Sequence, residues 1–249
     1  MRIITALFPE VGNRFGNYKR LADALVESVL ENSPSCEIDV FEAEDAPPAG
    51  SDSRRQGLID NTQKMVIWEQ AVADAKDGET ICLIDCDTIV LGDLREVENI
   101  DFDVCWTVRP VGSAFPFNSG VVFARINDRS RQFFSRWKDA NVRLLYDRKN
   151  HEPLRAVFGG INQASLGEIL VRGPMCNMVP LACEEWNCED SSWHLFSSKT
   201  KVLHIKSGLR RACLGSSNDA NLIRLAEIWR KYDRRAQEKA LGRDPGQDS

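Results

Sequence analysis

The sequence predicts an α/β fold, and three observations support that prediction. Along the first two thirds of the chain, short apolar runs alternate with segments whose apolar residues recur at helical spacing, which is typical of strands alternating with helices around a sheet. The chain has 249 residues, of which 43% are hydrophobic and 28% are charged, a length and composition suited to one large globular domain. No apolar run in it approaches the roughly 18 residues that a membrane-spanning helix requires.

Two strands and two helices are predicted in the first 75 residues. The strands span residues 3–8 and 37–43, because both are short runs rich in β-branched and aromatic residues. A helix over 17–30 lies between them. The polar segment 45–57 contains two prolines and is predicted to be a surface loop. A second helix begins at about Thr62, and its apolar residues recur at helical spacing: Met65, Trp68, Val72 and Ala75.

The rest of the chain is predicted to contain further strands and two more helices. The strands span residues 81–84, 104–108, 120–126 and 201–205. One amphipathic helix covers 128–145, and another covers 218–241 after a loosely patterned stretch that starts at residue 173. We expect one domain over 1–217 with the last helix packed on it, followed by a disordered tail at 242–249.

The charge balance and the cysteines exclude several classes of protein. A net charge of -5 and a pI near 5.4 argue against a chain built to bind nucleic acid. The amino-terminal apolar stretch ends at Pro9, which makes it too short for a signal peptide, so we expect a cytoplasmic protein. Eight cysteines occur without a Cys-x-x-Cys pair, and we therefore expect free buried thiols rather than zinc ligands.

An acidic pair follows the most apolar of the predicted strands. Asp85 and Asp87 come directly after the run Ile-Cys-Leu-Ile, at the carboxyl end of that strand, where ligands bind in open α/β sheets. Because one residue separates them, both carboxylates can point to the same side of an extended chain. Two hard oxygen ligands suit Mg²⁺ or Mn²⁺ on a diphosphate. A second acidic triplet at 101–103 precedes its strand and is expected to cap a turn.

The order of motifs along residues 1–211 resembles that of the GT-A glycosyltransferases, and most closely the retaining enzymes of glycosyltransferase family eight. The matching stretches are, in chain order, the strand ITAL, Asn17-Tyr18 opening a helix, Lys64 in the next helix, LIDCDTIVLGDL, FNSGVVF at 117–123, Asn162-Gln163 at a helix start, Pro180-Leu181 with Trp186-Asn187, Val202-Leu203-His204, and Arg210.

This resemblance implies a fold, a reaction and a set of site residues. The fold is a GT-A type, Rossmann-like mixed sheet flanked by helices. The reaction moves a sugar from a nucleotide-diphosphate donor, commonly a uridine diphosphate sugar, to an acceptor hydroxyl. The implied ligands of a Mn²⁺ or Mg²⁺ ion are Asp85, Asp87 and His204, and the implied catalytic residues are Asn118, Asn162 and Gln163. Contacts to the donor are implied for Thr5, Ala6, Leu7, Lys64, Asp85, Cys86, Asp87, Lys206, Gly208 and Arg210.

Two positions depart from the family pattern. Asn162 stands where the family has an aspartate, so the contact to the donor hydroxyls changes from a charged acceptor to an amide. Ser207 stands where the family has a glycine three residues after the histidine, and Gly208 follows one place later. A remodelled diphosphate loop is the expected consequence.

The sequence leaves the stereochemistry, the acceptor and two other functions open. Retention follows from the resemblance, whereas an inverting enzyme would use a carboxylate base from among Glu184, Glu185, Glu189 and Asp190. The acceptor is a glycan, a lipid-linked sugar, a protein, a metabolite or a modified nucleobase. The alternative functions are sugar-phosphate nucleotidyl transfer, which uses a similar fold and Mg²⁺, and silent binding of a nucleotide sugar.

The last predicted helix is basic and amphipathic. Residues 222–243 contain seven basic and three acidic side chains, a net charge of +4. One face repeats apolar residues at the helical period: Leu222, Leu225, Trp229 and Tyr232. Two interpretations follow. Either this face packs on the helix's own domain, or the helix makes peripheral contact with a membrane, as in some family members with lipid-linked acceptors.

Overall fold

The computed structural model describes residues 1–8, 18–43 and 53–243, which form a central sheet with helices on both faces. The strands are β1 (Arg2–Leu7), β2 (Glu37–Glu42), β3 (Thr80–Asp85), β4 (Thr88–Val90), β5 (Val104–Val108), β6 (Phe117–Arg125), β7 (Met178–Ala182) and β8 (Val202–His204). The helices are α1 (Tyr18–Asn32), α2 (Ser53–Asp74), α3 (Asp128–Tyr146), α4 (Arg148–Phe158), α5 (Ile161–Val171), α6 (Cys183–Trp186), α7 (Ser207–Cys213) and α8 (Ala220–Ala240).

The larger sheet is mixed. Within the described residues its strand order is β2-β1-β3-β6-β5-β7. Strand β1 runs parallel to β2 and β3, and β5 runs parallel to β7, whereas β6 is antiparallel to both of its neighbours. Because β2 and β3 lie on opposite sides of β1, the carboxyl ends of β1 and β3 form a switch point of the kind at which α/β sheets bind ligands. A small second sheet pairs β4 with β8.

Both faces of the larger sheet are buried, as the alternation along β3 shows. Ile81 and Leu83 pack against α2, α3 and α5 on one face, while Cys82 and Ile84 pack against α1 on the other. Strands covered on both faces are continuously apolar rather than alternating, which accounts for the run that precedes the acidic pair. The packing holds the end of β3 in place from both sides.

The predicted fold class, a mixed α/β sheet flanked by helices, is confirmed. Two boundaries differ from the prediction by more than two residues. Helix α2 begins at Ser53 rather than Thr62, because both prolines of the predicted loop lie before residue 53 and none lies in 53–61. The rest of the predicted loop, 45–52, lies outside the described residues. Strand β6 begins at Phe117 rather than Gly120, because its first residues pair with β5.

The sequence pattern does not predict β7, α4 or α7. Strand β7 joins the edge of the sheet beside β5, and an edge strand tolerates Pro180. Helix α4 contains Pro153, which counts against a helix when only sequence is considered, yet Leu154 of this helix packs against α5. Helix α7 lies between the last predicted strand and the last predicted helix, where the sequence pattern predicts no helix. In β7 and α4, tertiary contacts outweigh a weak local pattern.

Helix α8 packs on the domain through the face that the sequence marks as apolar. Leu225, Trp229 and Tyr232 are buried in a cluster with residues of α1, β4, β8 and α7. Beside this face, four ion pairs join α1 to α8: Arg20 with Asp233, Glu31 with Lys231 and with Arg235, and Glu27 with Lys239. Packing on its own domain is therefore the interpretation that the structure supports. None of the described helices is long and apolar enough to span a membrane.

The cysteines behave as predicted. All eight are free thiols; seven are buried and Cys176 is half-buried. The part of the chain that the structure describes contains no metal-ligand cluster built from them. Of the predicted tail, only residues 242 and 243 are described.

Candidate functional site

The acidic pair lies at the switch point between β1 and β3. Asp85 is the last residue of β3 and stands opposite Ala6 of β1. The Thr88 hydroxyl donates to the Asp85 carbonyl oxygen at 2.7 Å, and the Ile205 N–H donates to the Asp87 carbonyl oxygen at 2.6 Å. These two bonds close a tight turn after β3 and attach it to the end of β8.

Strand β8 supplies a third group. His204 is buried, and its Nε2 lies 3.1 Å from Asp87 Oδ1 and 3.8 Å from Asp85 Oδ2. One ligand atom from each of the three residues lies within 4.8 Å of the others, and no other such cluster occurs in the described ranges. Two carboxylates and an imidazole are a donor set that Mn²⁺ favours and Mg²⁺ accepts. The residues therefore fit the ion that the sequence predicts.

Lys64 lies against the first carboxylate. It projects from α2, is 6% exposed, and places its Nζ 2.5 Å from Asp85 Oδ1 and 4.5 Å from the centre of the Trp68 ring. A buried ammonium needs such partners, since desolvation of an unpaired charge is costly. This contact leaves Asp85 Oδ2 as the oxygen nearer to His204.

Arg210 of α7 lies against the second carboxylate. Its Nη2 pairs with Asp87 Oδ2, and its Nη1 donates to the Tyr18 hydroxyl at 3.2 Å. Burial alone would raise the pKa of the Asp87 carboxyl, but His204 and Arg210 hold that pKa well below its usual range. Asp87 is therefore ionised, and the guanidinium balances its charge.

Buried amides surround the other side of the histidine. Asn118 Oδ1 accepts from the Gly120 N–H at 2.7 Å and from Asn187 Nδ2 at 3.0 Å. Asn187 Oδ1 lies 2.9 Å from His204 Nδ1. A Cβ at Gly120 would lie 2.5 Å from His204 Cε1, so only a glycine at this position of β6 allows the ring to approach the strand so closely. The Asn-Ser-Gly stretch therefore supports the histidine.

Asn162 and Gln163 open α5, as predicted. Asn162 is 3% exposed, and with its amide turned so that both atoms are satisfied, its oxygen accepts from Lys64 Nζ at 3.2 Å. Gln163 Nε2 donates to the carbonyl oxygens of Phe117 and Phe158 at 2.8 and 3.0 Å. Asn162 is thus linked to the acidic pair through Lys64, and Gln163 connects α4 to the start of β6.

The loop after β8 contains the remaining predicted diphosphate contacts. Lys206 Nζ lies 2.7 Å from Glu189 Oε2 and 3.2 Å from Asp190 Oδ1, so these carboxylates neutralise it. Burial alone would raise the pKa of Glu189, but hydrogen bonds with Asp190 and Lys206 hold it well below its usual range. Ser207 has a φ of 47°, in the left-handed region. The serine therefore adopts a turn that favours glycine, and the turn does not shift to Gly208.

The predicted donor contacts on β1 are buried. Thr5 Oγ1 has no hydrogen-bond partner within the described ranges. Leu7 packs against Cys86, and burial raises the pKa of the Cys86 thiol well above its usual value, so the thiol is not available as a thiolate ligand. The adjoining segments 9–17 and 44–52 lie outside the described residues; the first includes Asn17, which with Tyr18 forms the motif predicted to open the first helix.

The second acidic triplet has a structural role. The buried Asp103 carboxylate accepts from Asn127 Nδ2 at 2.7 Å and from the Asn177 N–H at 2.7 Å, and it pairs with Arg129 at 2.9 Å. Burial alone would raise the pKa of Asp103, but these partners hold it below its usual value. Asp103 thus joins the start of β5 to α3 and to the residue before β7.

Two residues of the site receive no role in the sequence analysis. Asn187 contacts His204 across 17 positions of sequence, and Tyr18 contacts Arg210 across 192. Both belong to stretches that resemble the family, which is the signal that marks them. Contacts between such distant residues leave no local pattern, so their partners follow only from the tertiary structure.

A Rossmann-like mixed sheet with an Asp-x-Asp turn after β3 and a histidine delivered by the last strand is the GT-A fold of glycosyltransferases. No protein-family model and no curated protein sequence matches this chain. Solved structures do match it, and several of them are glycosyltransferases.

Three of these structures illustrate the likeness. A glycosyltransferase involved in glycosylation of the major capsid of PBCV-1 matches 83% of this chain over 94% of its own, with a TM-score of 0.55 and 14% identity. The galactosyltransferase LgtC, with donor and acceptor sugar analogues, matches 94% over 96%, with a TM-score of 0.57 and 13% identity. Apo GlyE of Streptococcus pneumoniae TIGR4 matches 97% over 63%, with a TM-score of 0.58 and 14% identity, so this chain spans somewhat under two thirds of GlyE. At these identities the likeness establishes the fold.

Proposed function

We propose that this chain is a metal-dependent glycosyltransferase that moves a sugar from a nucleotide-diphosphate donor to an acceptor hydroxyl, with retention of the anomeric configuration. One observation supports this most directly. Asp85 at the end of β3, Asp87 in the turn after it and His204 of β8 present ligand atoms within 4.8 Å of one another at the switch point of a GT-A sheet.

The proposed cofactor is Mn²⁺, with Mg²⁺ as the alternative. An imidazole among the ligands favours the softer Mn²⁺, while the two carboxylates suit both ions. When bound, the ion acts as a Lewis acid that offsets the negative charge developing on the departing diphosphate.

Two cationic side chains have complementary proposed roles. Lys64, buried on the Trp68 ring, pairs with the Asp85 carboxylate and holds it in position. Arg210 is more exposed and borders Tyr18, so we propose that its guanidinium transfers from Asp87 to a donor phosphate, where it makes charge-assisted hydrogen bonds. Lys206, Gly208 and the residues Thr5, Ala6, Leu7 and Cys86 remain proposed donor contacts, with uridine diphosphate as the proposed carrier.

Retention is proposed from the resemblance and agrees with the burial of one possible base. An inverting enzyme needs a carboxylate beside the acceptor hydroxyl. Glu189 is fully buried and paired with Arg109 and Lys206, so it cannot reach an acceptor. Gln163 and Asn118 remain the proposed catalytic residues near the reacting carbon.

A second candidate, silent binding of a nucleotide sugar, is favoured by Asn162. Its side chain is buried among Asn61, Asn141 and Lys64, so the amide that replaces the family's aspartate is turned towards protein. If this amide contributes nothing to transfer, the donor would bind without turnover.

The test is a panel of nucleotide sugars with Mn²⁺, following thermal stability and release of nucleotide, first without and then with hydroxyl acceptors. We expect one donor to stabilise the protein only with metal and to be hydrolysed slowly. Asp85→Asn and Asp87→Asn should each lower that activity by roughly 100-fold or more, because each removes a charged ligand of the ion.

The matched control is Asp101→Asn, in the second acidic triplet. The Asp101 side chain is 96% exposed, so this variant should keep wild-type activity. Full activity in both Asp85→Asn and Asp87→Asn would refute the site. Metal-dependent binding without hydrolysis or transfer would establish the silent binder. Pyrophosphate formation from a nucleoside triphosphate and a sugar phosphate would establish a nucleotidyltransferase instead.

A further inference from the structure

Asn187 lies at the centre of a buried hydrogen-bond network behind His204. It follows α6 directly, is 0% exposed, and reaches three strands of the fold. Its Oδ1 lies 2.9 Å from His204 Nδ1 of β8, and its Nδ2 lies 2.9 Å from Thr107 Oγ1 of β5 and 3.0 Å from Asn118 Oδ1 of β6. Both N–H groups of the amide and one lone pair of its oxygen therefore have a partner.

The backbone determines which atom of each amide donates. The Gly120 N–H can only donate, so the Asn118 atom 2.7 Å away is an oxygen. The Asn187 atom facing that oxygen at 3.0 Å must then be the nitrogen. The other Asn187 atom is therefore an oxygen, and the His204 Nδ1 that it faces must bear a hydrogen.

These hydrogen bonds also determine whether Nε2, the other ring nitrogen of His204, bears a hydrogen or a lone pair. With the hydrogen of the neutral imidazole on Nδ1, Nε2 has a free lone pair. That nitrogen faces Asp87 Oδ1 at 3.1 Å and Asp85 Oδ2 at 3.8 Å. An unprotonated Nε2 beside carboxylate oxygens needs a cation between them: in the metal-free protein a proton shared with Asp87 can fill this place, and a divalent metal ion replaces that proton when it binds.

We propose that Asn187 is a positioning residue that keeps His204 in its Nδ1–H tautomer, so that Nε2 is available as a metal ligand. The proposal rests on the proposed metal site and assigns to this chain the partner that orients the imidazole. Metal-bound histidines commonly donate their second N–H to such a partner, which orients the ring and raises metal affinity.

An amide meets these requirements better than other side chains of similar size. Leucine would remove one hydrogen-bond partner from each of three buried groups, His204 Nδ1, Thr107 Oγ1 and Asn118 Oδ1. Aspartate would accept from Nδ1 but could not donate to the two oxygens. It would also add a negative charge near Asp85 and Asp87. Only asparagine supplies one acceptor and two donors here without a charge.

The first test is the protonation of the ring nitrogens in the metal-free protein, measured by ¹⁵N–¹H multiple-bond NMR. The chain has three histidines, which makes assignment of His204 by substitution straightforward. In the wild-type protein at pH 8 we expect Nδ1 to have the chemical shift of a protonated nitrogen. In Asn187→Ala we expect the hydrogen of the neutral ring on Nε2, where Asp87 accepts it.

The second test is Mn²⁺ affinity, measured by calorimetry without any nucleotide. We expect Asn187→Ala to bind Mn²⁺ about tenfold or more weakly. Asn187→Asp retains the acceptor, so it should be less stable yet keep Nδ1 protonated and bind Mn²⁺ clearly better than Asn187→Ala. The matched control is Asn32→Ala, which loses a half-buried amide with three bonds elsewhere and should keep wild-type affinity.

An Asn187→Ala protein with wild-type Mn²⁺ affinity and a protonated Nδ1 would overturn the proposal, as would an Asn187→Asp protein that binds as weakly as the alanine variant. If Asn187→Ala does not fold, Thr107→Val loosens the same amide, and we expect about a threefold loss of affinity; no change in affinity or tautomer would overturn the proposal. A wild-type protein that binds no Mn²⁺ would refute the metal site and this inference with it, whereas bound Mn²⁺ without sugar transfer would refute only the enzymatic function.

Discussion

Asp87 joins a candidate metal ligand to a cationic side chain. Its two carboxylate oxygens face different partners, His204 on one side and Arg210 on the other. Asp85 is arranged similarly between Lys64 and His204. Two carboxylates are thus balanced by two cationic side chains. A divalent ion alone would add positive charge to a neutral site, so it is best accommodated together with an anion such as a diphosphate.

The Arg210 contact leads to a prediction with opposite signs for two ligands. In Arg210→Gln, Mn²⁺ alone should bind more tightly, because the guanidinium no longer competes for Asp87. A nucleoside diphosphate in the presence of Mn²⁺ should bind roughly tenfold or more weakly, because a charge-assisted contact is lost. Calorimetric titration of each ligand measures both effects.

Arg211→Gln is the control for that experiment. Arg211 is the next residue of α7 and is exposed, so its substitution should leave both affinities unchanged. If Arg210→Gln weakened Mn²⁺ binding in the absence of nucleotide, the guanidinium would be supporting the metal site rather than competing with it.

Gly120 gives a second prediction at the scale of one residue. A Cβ there would lie 2.5 Å from His204 Cε1 and 2.9 Å from Asn118 Oδ1, so Gly120→Ala must displace the ring or the amide. We expect a loss of about 1–3 kcal/mol in the free energy of unfolding, together with weaker Mn²⁺ binding. Urea unfolding and metal titration measure the two.

Gly57→Ala is the matched substitution for Gly120→Ala. Nothing lies within 4 Å of a Cβ at this position of α2, so we expect a gain of up to about 1 kcal/mol from helix propensity and unchanged metal affinity. Wild-type Mn²⁺ affinity in Gly120→Ala would show that the ring does not need this close approach.

At the scale of elements, Asp103 joins β5, α3 and the residue before β7. We expect Asp103→Asn to lower the free energy of unfolding at pH 7 by about 1–3 kcal/mol, because hydrogen bonds to a charged acceptor are lost. The native pKa of this carboxyl lies below its usual value. Its contribution is therefore complete above the unfolded pKa of about 3.9 and is lost as the pH falls through the native pKa.

Urea unfolding of both proteins at pH 7 and near pH 2.5 measures this dependence. The difference between wild type and Asp103→Asn should shrink at the lower pH. The neighbouring Asp101→Asn, at a side chain that is 96% exposed, should show little difference at either pH. An Asp103→Asn effect that is equal at both values would mean that packing, not charge, joins these elements.

Where β8 leads into α7, Ser207 has a backbone conformation that residues other than glycine disfavour. A residue other than glycine at a φ of 47° is strained by about 1–3 kcal/mol, yet Ser207 adopts this conformation between Lys206, which is bound to Glu189, and Arg210, which is bound to Asp87. Neighbouring contacts therefore hold the turn in a glycine-like conformation although the glycine is absent.

At the scale of the whole molecule, α8 completes the core around β4 and β8. Trp229 is 2% exposed, and the Arg20 guanidinium lies 5.0 Å from its ring centre. We expect Trp229→Ala to lower the free energy of unfolding by about 3–5 kcal/mol, measured by urea denaturation. On the same helix Ile223 is 38% exposed, and Ile223→Ala should cost less than about 1 kcal/mol.

A Trp229→Ala protein of wild-type stability would show that α8 is an attachment rather than part of the core. That result would also favour the interpretation in which residues 222–243 contact a membrane, since the apolar face of the helix would then be available for it. With the face packed as described, the basic residues beside it act within the molecule, as their pairs with α1 show.

Much of the fold follows from local sequence. The apolar run before Asp85 predicts β3, and helical spacing of Trp68 and Val72 predicts most of α2, because each signal lies within a few residues. By contrast, β7 and α4 contain Pro180 and Pro153, and contacts with β5 and α5 decide their conformations. A local pattern contains no information about such distant partners.

The sequence by itself determined the α/β class, the strand end that bears the acidic pair and the candidate metal ligands. The first two follow from short local patterns, and the ligand set follows from the order of motifs along the chain. Only the tertiary structure decided which partners these ligands have. His204 and Arg210 lie 117 and 123 positions from Asp87, and Asn187 reaches His204, Thr107 and Asn118 at once. Such contacts depend on the order of strands in the sheet, which places residues far apart in the chain at hydrogen-bonding distance.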